Sequence, residues 1–419
     1  MLSRFWILRR HLTTMRLQSD EFKALFTDGL KTLASIFEKE QQDLRIAGGA
    51  VRDLLVGKQP HDVDFATTAT PDQMKEMFIK AGVRLINNKG EKHGTVTARI
   101  NEQNFEITTL RVDVQTDGRH AEVEFTTDWE RDAERRDLTI NSMFLGFDGT
   151  LYDYFNGYED LKNRCVRFVG DPSQRIQEDY LRILRYLRFY GRISERPGVH
   201  TTCTLDAIKE NAPGLRGISG ERIWVELKKI LEGNHANHLI QIMYQLGVSL
   251  YIGLPKDGNL EEFARVCERT ERMSPKPVTL LSGLFINPDD VQKLDLRLKI
   301  SKEEKSLALF LLKQRKELTC DRTDRVPLKP YQDYIIDSRE PDTQKKICEL
   351  LKYQGEEQLF RKMESWTLPR FPVSGHDLRR MGISSGKDIG RILQELRDRW
   401  KDSGYQESKE ELLNSLVHK

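Results

Sequence analysis

Cysteine is scarce in this chain of 419 residues, and what there is stands apart. The five cysteines, Cys165, Cys203, Cys267, Cys320 and Cys348, form no CxxC pair. An odd, scattered set argues against a disulfide framework or a cysteine-ligated zinc site and fits free thiols in a reducing compartment. Histidine is also sparse, nine in all, with one close pair at His235 and His238. That HxxH has no acidic or cysteine partner nearby, so both are expected on a helix surface rather than on a metal. No apolar run reaches the 18 residues of a spanning helix, and hydrophobic residues make up only 38% of the chain. A soluble globular chain without a membrane partner is expected. Charge of one sign is not in excess either: the net is +2. This balance neither demands nor excludes a nucleic acid, although residues 160–232 hold 14 Lys and Arg against 10 Asp and Glu, a mild pull toward an anionic partner. There is no fixed-period repeat and no low-complexity segment.

Acidic residues are missing from the first nineteen positions, which carry Arg4, Arg9, Arg10 and Arg16. An Arg-rich, acid-free amphipathic start predicts a mitochondrial transit segment over 1–19. Met15 is a second possible start that drops most of it, leaving a cytoplasmic or nuclear form.

Periodicity divides the rest. Residues 20–43 read as one amphipathic helix. LRIAGG is a short strand ended by glycines, Ala50 to Val56 a helix stopped at Gly57, and HDVDFAT a strand. PDQMKEMFIKAG is a helix opened by Pro71 and closed by Gly82. TVTARI and NFEITTL are strands with β-branched residues at alternating places. The segment 113–132 is polar and turn-rich, read as a mobile loop beside the site. Past residue 170 only helical periodicity recurs, with Pro-containing breaks at 273–278, 324–331 and 367–375. The expected fold is α+β, a mixed-sheet head over 20–150 followed by an elongated all-α remainder. The latter divides into a neck (151–272), a body (273–330) and a tail (331–419).

The chemistry concentrates in GGAVRDLLVGKQPHDVDFAT, Gly48 to Thr67. Residues two apart on a strand share a face, so Asp62 and Asp64 stand side by side. Paired carboxylates repel unless a cation lies between them, and oxygen-only ligands suit Mg²⁺ shared with substrate phosphates. Two such ions can activate an attacking hydroxyl and stabilise a leaving oxygen. Gly48 and Gly49 let phosphates approach backbone N–H groups at a helix start. Arg52 offers a fork of donors. The order strand–GG–helix–DxD differs from both the GK[ST] loop and the GxGxxG fingerprint. Glu106, in NFEITTL, is the best-placed third carboxylate, or else an exposed strand glutamate.

These residues resemble the polymerase-beta-like nucleotidyltransferases. RRDLTIN (135–141), DYFNG (153–157) and EDYLRILR (178–185) narrow the resemblance to the class II tRNA CCA-adding enzymes, close cousins of bacterial poly(A) polymerases. It covers roughly residues 25–235, and more weakly VSGHDLRRMGISSGKDIGRIL in the tail. The resemblance implies metal-holding Asp62 and Asp64, nucleotide contacts from Gly48, Gly49, Arg52 and Arg136, and base reading by Asp179 and Arg182. It gives Arg185 and Arg188 a phosphate-holding or helix-positioning role. It implies Mg²⁺, CTP, ATP and tRNA as cofactor, substrates and partner, in a monomer or homodimer. A poly(A) polymerase-type enzyme using the same head is the alternative.

Base reading has its own chemical logic. Placed with Asp179 on one helix at about 100° per residue, Arg188, Arg185 and Arg182 fall on one stripe, interrupted by Leu181 and Phe189. Aspartate only accepts hydrogen bonds and arginine only donates. Cytosine and adenine both present an amine beside a ring acceptor; uracil and guanine put an oxygen where the amine would be. One Asp/Arg pair thus accepts C and A and excludes U and G, by up to about 10⁴-fold for a site built to hydrogen-bond. Asp137 either orients Arg136 or caps a helix. DYFNG is a hinge or a plain Asn-Gly turn. The dipeptides His61–Asp62 and His376–Asp377 are too weak to argue for a phosphohydrolase.

Overall fold

The computed structural model describes residues 15–86, 88–116, 121–320, 325–338, 340–383 and 385–417. Residues 1–14, most of the expected transit segment, lie outside them. The chain divides into two compact units, one of residues 1–264 with 284–305, the other of 265–283 with 306–419.

The first unit opens with helices α1 (Asp20–Lys23) and α2 (Asp28–Lys39). The single helix expected over 20–43 is therefore broken. Thr27 is the reason: its hydroxyl accepts from Leu30 N–H and starts a new helix. A seven-stranded sheet follows, in the order β3-β4-β5-β2-β1-β8-β9. Its strands are β1 (Leu44–Ala47), β2 (Asp64–Thr67), β3 (Arg84–Ile86), β4 (Thr95–Ile100), β5 (Gln103–Thr109), β8 (Phe144–Leu145) and β9 (Leu151–Tyr152). Only β2 and β5 pair in parallel. Helix α3 (Gly49–Leu55) links β1 toward β2, and α4 (Pro71–Lys80) carries a Thr70–Gln73 capping box. Leu33, Phe37, Ile46, Phe65 and Phe78 are buried between helices and sheet. Each such side chain contributes about 1.5–3 kcal/mol of transfer free energy.

Two expectations change here. The strand read from HDVDFAT starts only at Asp64. Its partner β1 ends opposite it at Ala47, because Gly48 turns away at φ +65°, so Asp62 has nothing to pair with across that edge. The segment read as a loop over 113–132 is, in its described residues, largely strand and helix. Strands β6 (Arg111–Thr116) and β7 (Ala121–Phe125) form a hairpin, followed by α5 (Trp129–Glu134). The hairpin tip, 117–120, lies outside the described residues.

Beyond β9 the described residues hold helices only, as expected. They begin with α6 (Gly157–Lys162), α7 (Pro172–Glu178), α8 (Arg182–Ile193), α9 (Thr202–Asn211), α10 (Gly220–Leu231) and α11 (Ala236–Gln245). DYFNG is a capped turn. The Asp153 carboxylate accepts from Phe155, Gly157 and Tyr158 N–H, and Asn156 sits at φ +58°. His235 and His238 are not free surface residues. His238 Nε2 meets His200 Nε2 at 3.1 Å, and His200 Nδ1 meets the Tyr186 hydroxyl at 2.8 Å, behind α8. Burial pushes His200 down to about 4, which keeps this chain neutral.

The second unit is helical among its described residues. Asp377, of the His376–Asp377 dipeptide, closes a capping box with Ser374 and pairs with Lys409, a structural role. No helix among the described residues is long and apolar enough to cross a membrane.

Candidate active site

A cavity of about 1090 Å³ opens in the first unit, between the β1–α3 turn, the β2–β5 edge and helix α8. Among the described residues, eleven cationic side chains line it against five acidic ones. That excess suits an anionic ligand.

At its floor, Asp64 and Glu106 are register partners on the two parallel strands. Both line the cavity and both are exposed. Parallel register points their side chains the same way, so the β2–β5 pairing, invisible in the sequence, brings Glu106 beside Asp64. Asp62 lies in the bend before β2. Although Asp64 is open to the cavity, the protein around it strips part of the hydration from its carboxyl and pushes it up, Arg136 pulls it back, and the charge of Asp62 adds to the rise. Two carboxylates that feel each other, with a third alongside, make an all-oxygen donor set suited to a hard cation. Among the described residues no three such side chains are already gathered as a ready-made metal cluster.

The turn after β1 forms one wall. Gly48 adopts φ +65°, ψ −120°, and a Cβ there would stand 3.0 Å from Arg136 Nη1. Arg52 is buried. It donates through Nη1 to Asn141 Oδ1 at 2.5 Å and through Nε and Nη2 to Asp53 Oδ1. Arg136 donates to the Asn141 carbonyl at 3.2 Å and to Asp132 Oδ2 at 3.1 Å. Asn141 therefore ties both arginines to one point. Asp132 also takes Arg135, and these two arginines hold its carboxyl below the usual range against the pull of burial.

Asp132, not Asp137, orients Arg136. Residues 132 and 136 are one helical turn apart, whereas α5 has ended before 137 and adjacent side chains diverge. Asp137 instead accepts from Arg185 Nε at 2.6 Å. It reaches α8 rather than its neighbour.

The opposite wall is the start of α8. Asp179 is not on a continuous helix with Arg182. It is extended at φ −153°, between α7 and α8, because its side chain accepts from Leu181 N–H and its carbonyl from Arg182 N–H. Its other carboxylate oxygen takes Arg222 Nη2 at 2.7 Å. Arg182 pairs with Glu178 and donates to the carbonyls of Arg175 at 2.9 Å and Arg135 at 3.2 Å. Arg188 meets Glu226 at 3.0 Å. Leu181 and Phe189, which interrupt the polar stripe in the sequence, are buried, and the Phe189 ring lies under the Arg188 and Arg52 guanidinium groups.

All the expected residues except Asp62 therefore line one cavity. Sequence reasoning missed Arg111, Arg135, Asn141, Arg192 and Arg222, which line it too. Arg135 and Asn141 stood inside the RRDLTIN signature. Nothing local marks the others.

Comparison with known proteins agrees with this layout. The family model "Poly A polymerase head domain" matches residues 44–167, and "Probable RNA and SrmB- binding site of polymerase A" matches 201–253. The protein named "CCA tRNA nucleotidyltransferase 1, mitochondrial" from Mus musculus is 69% identical over 99% of this chain and 95% of its own length. Its Homo sapiens namesake is 68% identical over the same shares. The crystal structure of the Bacillus stearothermophilus CCA-adding enzyme in complex with CTP superposes with a TM-score of 0.72, covering 96% of this chain and 98% of its own, at 23% identity. That likeness shows the shared fold. At the level of identity seen along almost the whole length of the mouse and human proteins, the chain belongs to the family of CCA tRNA nucleotidyltransferases.

Proposed function

We infer that the chain adds C, C and A to the 3′ end of tRNA without a nucleic-acid template, from CTP and ATP, releasing pyrophosphate at each step. The terminal hydroxyl of the RNA attacks the α-phosphate. The new P–O bond forms as the bond to the β-phosphate oxygen breaks. The observation that carries the residue roles is the single cavity that joins Asp64 and Glu106, the Gly48–Arg52 turn, and Asp179 with Arg182.

A nucleotidyltransferase head implies a divalent cation. Asp62 and Asp64, with Glu106 alongside, would hold it, and the all-oxygen set favours Mg²⁺. When bound, it would lower the pKa of the attacking hydroxyl and offset charge on the leaving oxygen. The chain's own residues do the positioning. Gly48 and Gly49 leave room for phosphate oxygens at the backbone, and Arg52 and Arg136, held on Asn141, present fixed forks to them. Asp179 accepts from the amine of C or A, and Arg182 donates to the ring acceptor beside it. Arg185 and Arg188 are fixed by Asp137 and Glu226, which holds the reading helix still. Helices of the tail (331–419) would grip tRNA by shape and backbone contacts. Residues 1–19 would direct the chain to mitochondria, with Met15 as the start of a cytoplasmic or nuclear form. Diffuse signal from a reporter fused to residues 1–20 would refute that.

The test is nucleotide-by-nucleotide addition to tRNA trimmed of its end. CTP alone should add two residues and ATP should add one only afterwards; long ATP runs without CTP would overturn the assignment. Asp179→Ala should slow C and A addition and relax the rejection of UTP. Unchanged preferences would remove Asp179 from base selection.

A further inference from the structure

The two walls of the cavity are joined by a contact to which the roles above give no part. Arg192, in the last turn of α8, donates through Nη2 to both carboxylate oxygens of Asp53, at 2.9 Å each. Asp53 follows Arg52 in α3, and its Oδ1 accepts from Arg52 Nε at 3.1 Å and Nη2 at 3.0 Å. One carboxylate thus serves two guanidinium groups from opposite walls. Arg52 and Arg192 line the cavity; Asp53 stands behind them. The same two helices meet again at Phe189 of α8, whose ring carries Arg52 at 4.9 Å. Burial weakens the hold of Arg52 on its proton, and the Asp53 charge works against that loss.

We propose that Asp53 is a positioning residue: by bridging Arg52 to Arg192 it fixes the phosphate-holding wall and the base-reading helix in one register. The proposal rests on the roles of Arg52 and α8 given above. Selection by hydrogen bonds works only if the base cannot slide along its readers. The base hangs from a phosphate held on one wall and is read from the other, so the spacing between walls sets whether its amine reaches Asp179. Hydrogen bonds weaken steeply with misalignment. A displacement of about 1 Å in a reacting pair costs about 10²-fold in rate.

The experiment uses the full chain and tRNA lacking its terminal CCA, with single additions from CTP or UTP. The variants are Asp53→Asn, Arg192→Gln, their double, Asp53→Glu, and Asp179→Ala as a control. Each of the first two should lower kcat/KM for CTP by roughly ten- to a hundredfold, mainly in kcat, and narrow the preference for CTP over UTP. The double variant should be no worse than the more severe single, and Asp53→Glu should recover part of the loss. Losses that multiply in the double variant, a loss confined to KM with the CTP preference intact, or no loss at all would each overturn the bridge. If Asp179→Ala relaxes selection and Arg192→Gln does not, the bridge fails and base reading stands. If Asp179→Ala leaves selection intact, base reading fails and the bridge falls with it. The Arg192 side chain is 48% exposed, so Arg192→Gln, checked by thermal melting, keeps the test decisive even where Asp53→Asn is unstable.

Discussion

Removing the Asp137 carboxylate should cost stability in a way that identifies its partner. Asp137 is 7% exposed and accepts from Arg185 Nε at 2.6 Å, Leu138 N–H at 2.9 Å and Asn141 Nδ2 at 3.4 Å. Deleting one member of a buried ion pair costs about 3–5 kcal/mol. The Arg185 side chain keeps 33% exposure, so water restores part of its hydration. For Asp137→Ala a loss of about 2–3 kcal/mol follows. Asp137→Asn keeps an acceptor without the charge and should lose about 1 kcal/mol.

The pH dependence separates this from other causes. Burial opposes the Asp137 charge, but Arg185 prevails and holds the carboxyl below its ordinary range. A depressed folded value gives stabilisation that is complete above the ordinary carboxylate range and lost only as pH falls through the folded value. The Asp137→Ala penalty should therefore be the same at about pH 7 and about pH 5.5. Urea unfolding followed by tryptophan fluorescence reads it, since Trp129 is buried in the same unit. A penalty below about 0.5 kcal/mol, equal losses for the Ala and Asn variants, or a penalty that shrinks between those two pH values would refute the reasoning.

Asp64→Asn should abolish addition of every nucleotide, yet raise the thermal midpoint of the protein in chelator at neutral pH. Burial and Asp62 push the Asp64 carboxyl up, so its charge opposes folding there; an unchanged or lower midpoint would contradict this. Gly48→Ala forces a side chain onto φ +65°, ψ −120° and to 3.0 Å from Arg136 Nη1. It should cost about 1–3 kcal/mol and raise KM for CTP and ATP alike, measured by steady-state addition and denaturant melts. Tyr186→Phe removes the bond to His200 behind α8 and should cost about 1 kcal/mol in urea unfolding while leaving the CTP-over-UTP ratio unchanged.

What was legible in the sequence is local. Pro71, Gly57 and Gly82 punctuate helices where the structure has them, and β-branched alternation locates β4 and β5. The GG turn, Arg52 and the start of α8 all reach one cavity. Some misses were also local. Thr27 is an N-cap ahead of a helical run, and Asp132 with Arg136 is an i, i+4 pair that outranks the adjacent Asp137. Asp179 interrupts a periodicity that runs on either side of it, because an aspartate can satisfy the backbone without a helix.

The remainder depends on topology. Glu106 meets Asp64 only because β2 and β5 pair in parallel, and Arg185 meets Asp137 across 48 residues and Arg192 meets Asp53 across 139. Charge pairing at such separations leaves no trace in spacing. This matters for how the site attracts a nucleotide. Arg52, Arg136 and Arg182, expected from the sequence as nucleotide contacts, and Arg185 and Arg188, expected to hold phosphates or position the helix, each already hold a carboxylate. A paired guanidinium keeps a fixed direction for its remaining N–H groups but adds little net charge. Counting the partners Asp53, Asp132, Glu178 and Glu226 behind the lining reduces the excess of cations over acids among the described residues from six to two, and the pull on a triphosphate must come from that remainder rather than from any one arginine. Neutralising a carboxylate partner should consequently strengthen that pull while loosening the fork it held, so tighter nucleotide binding with slower, less selective transfer is the signature expected of such variants.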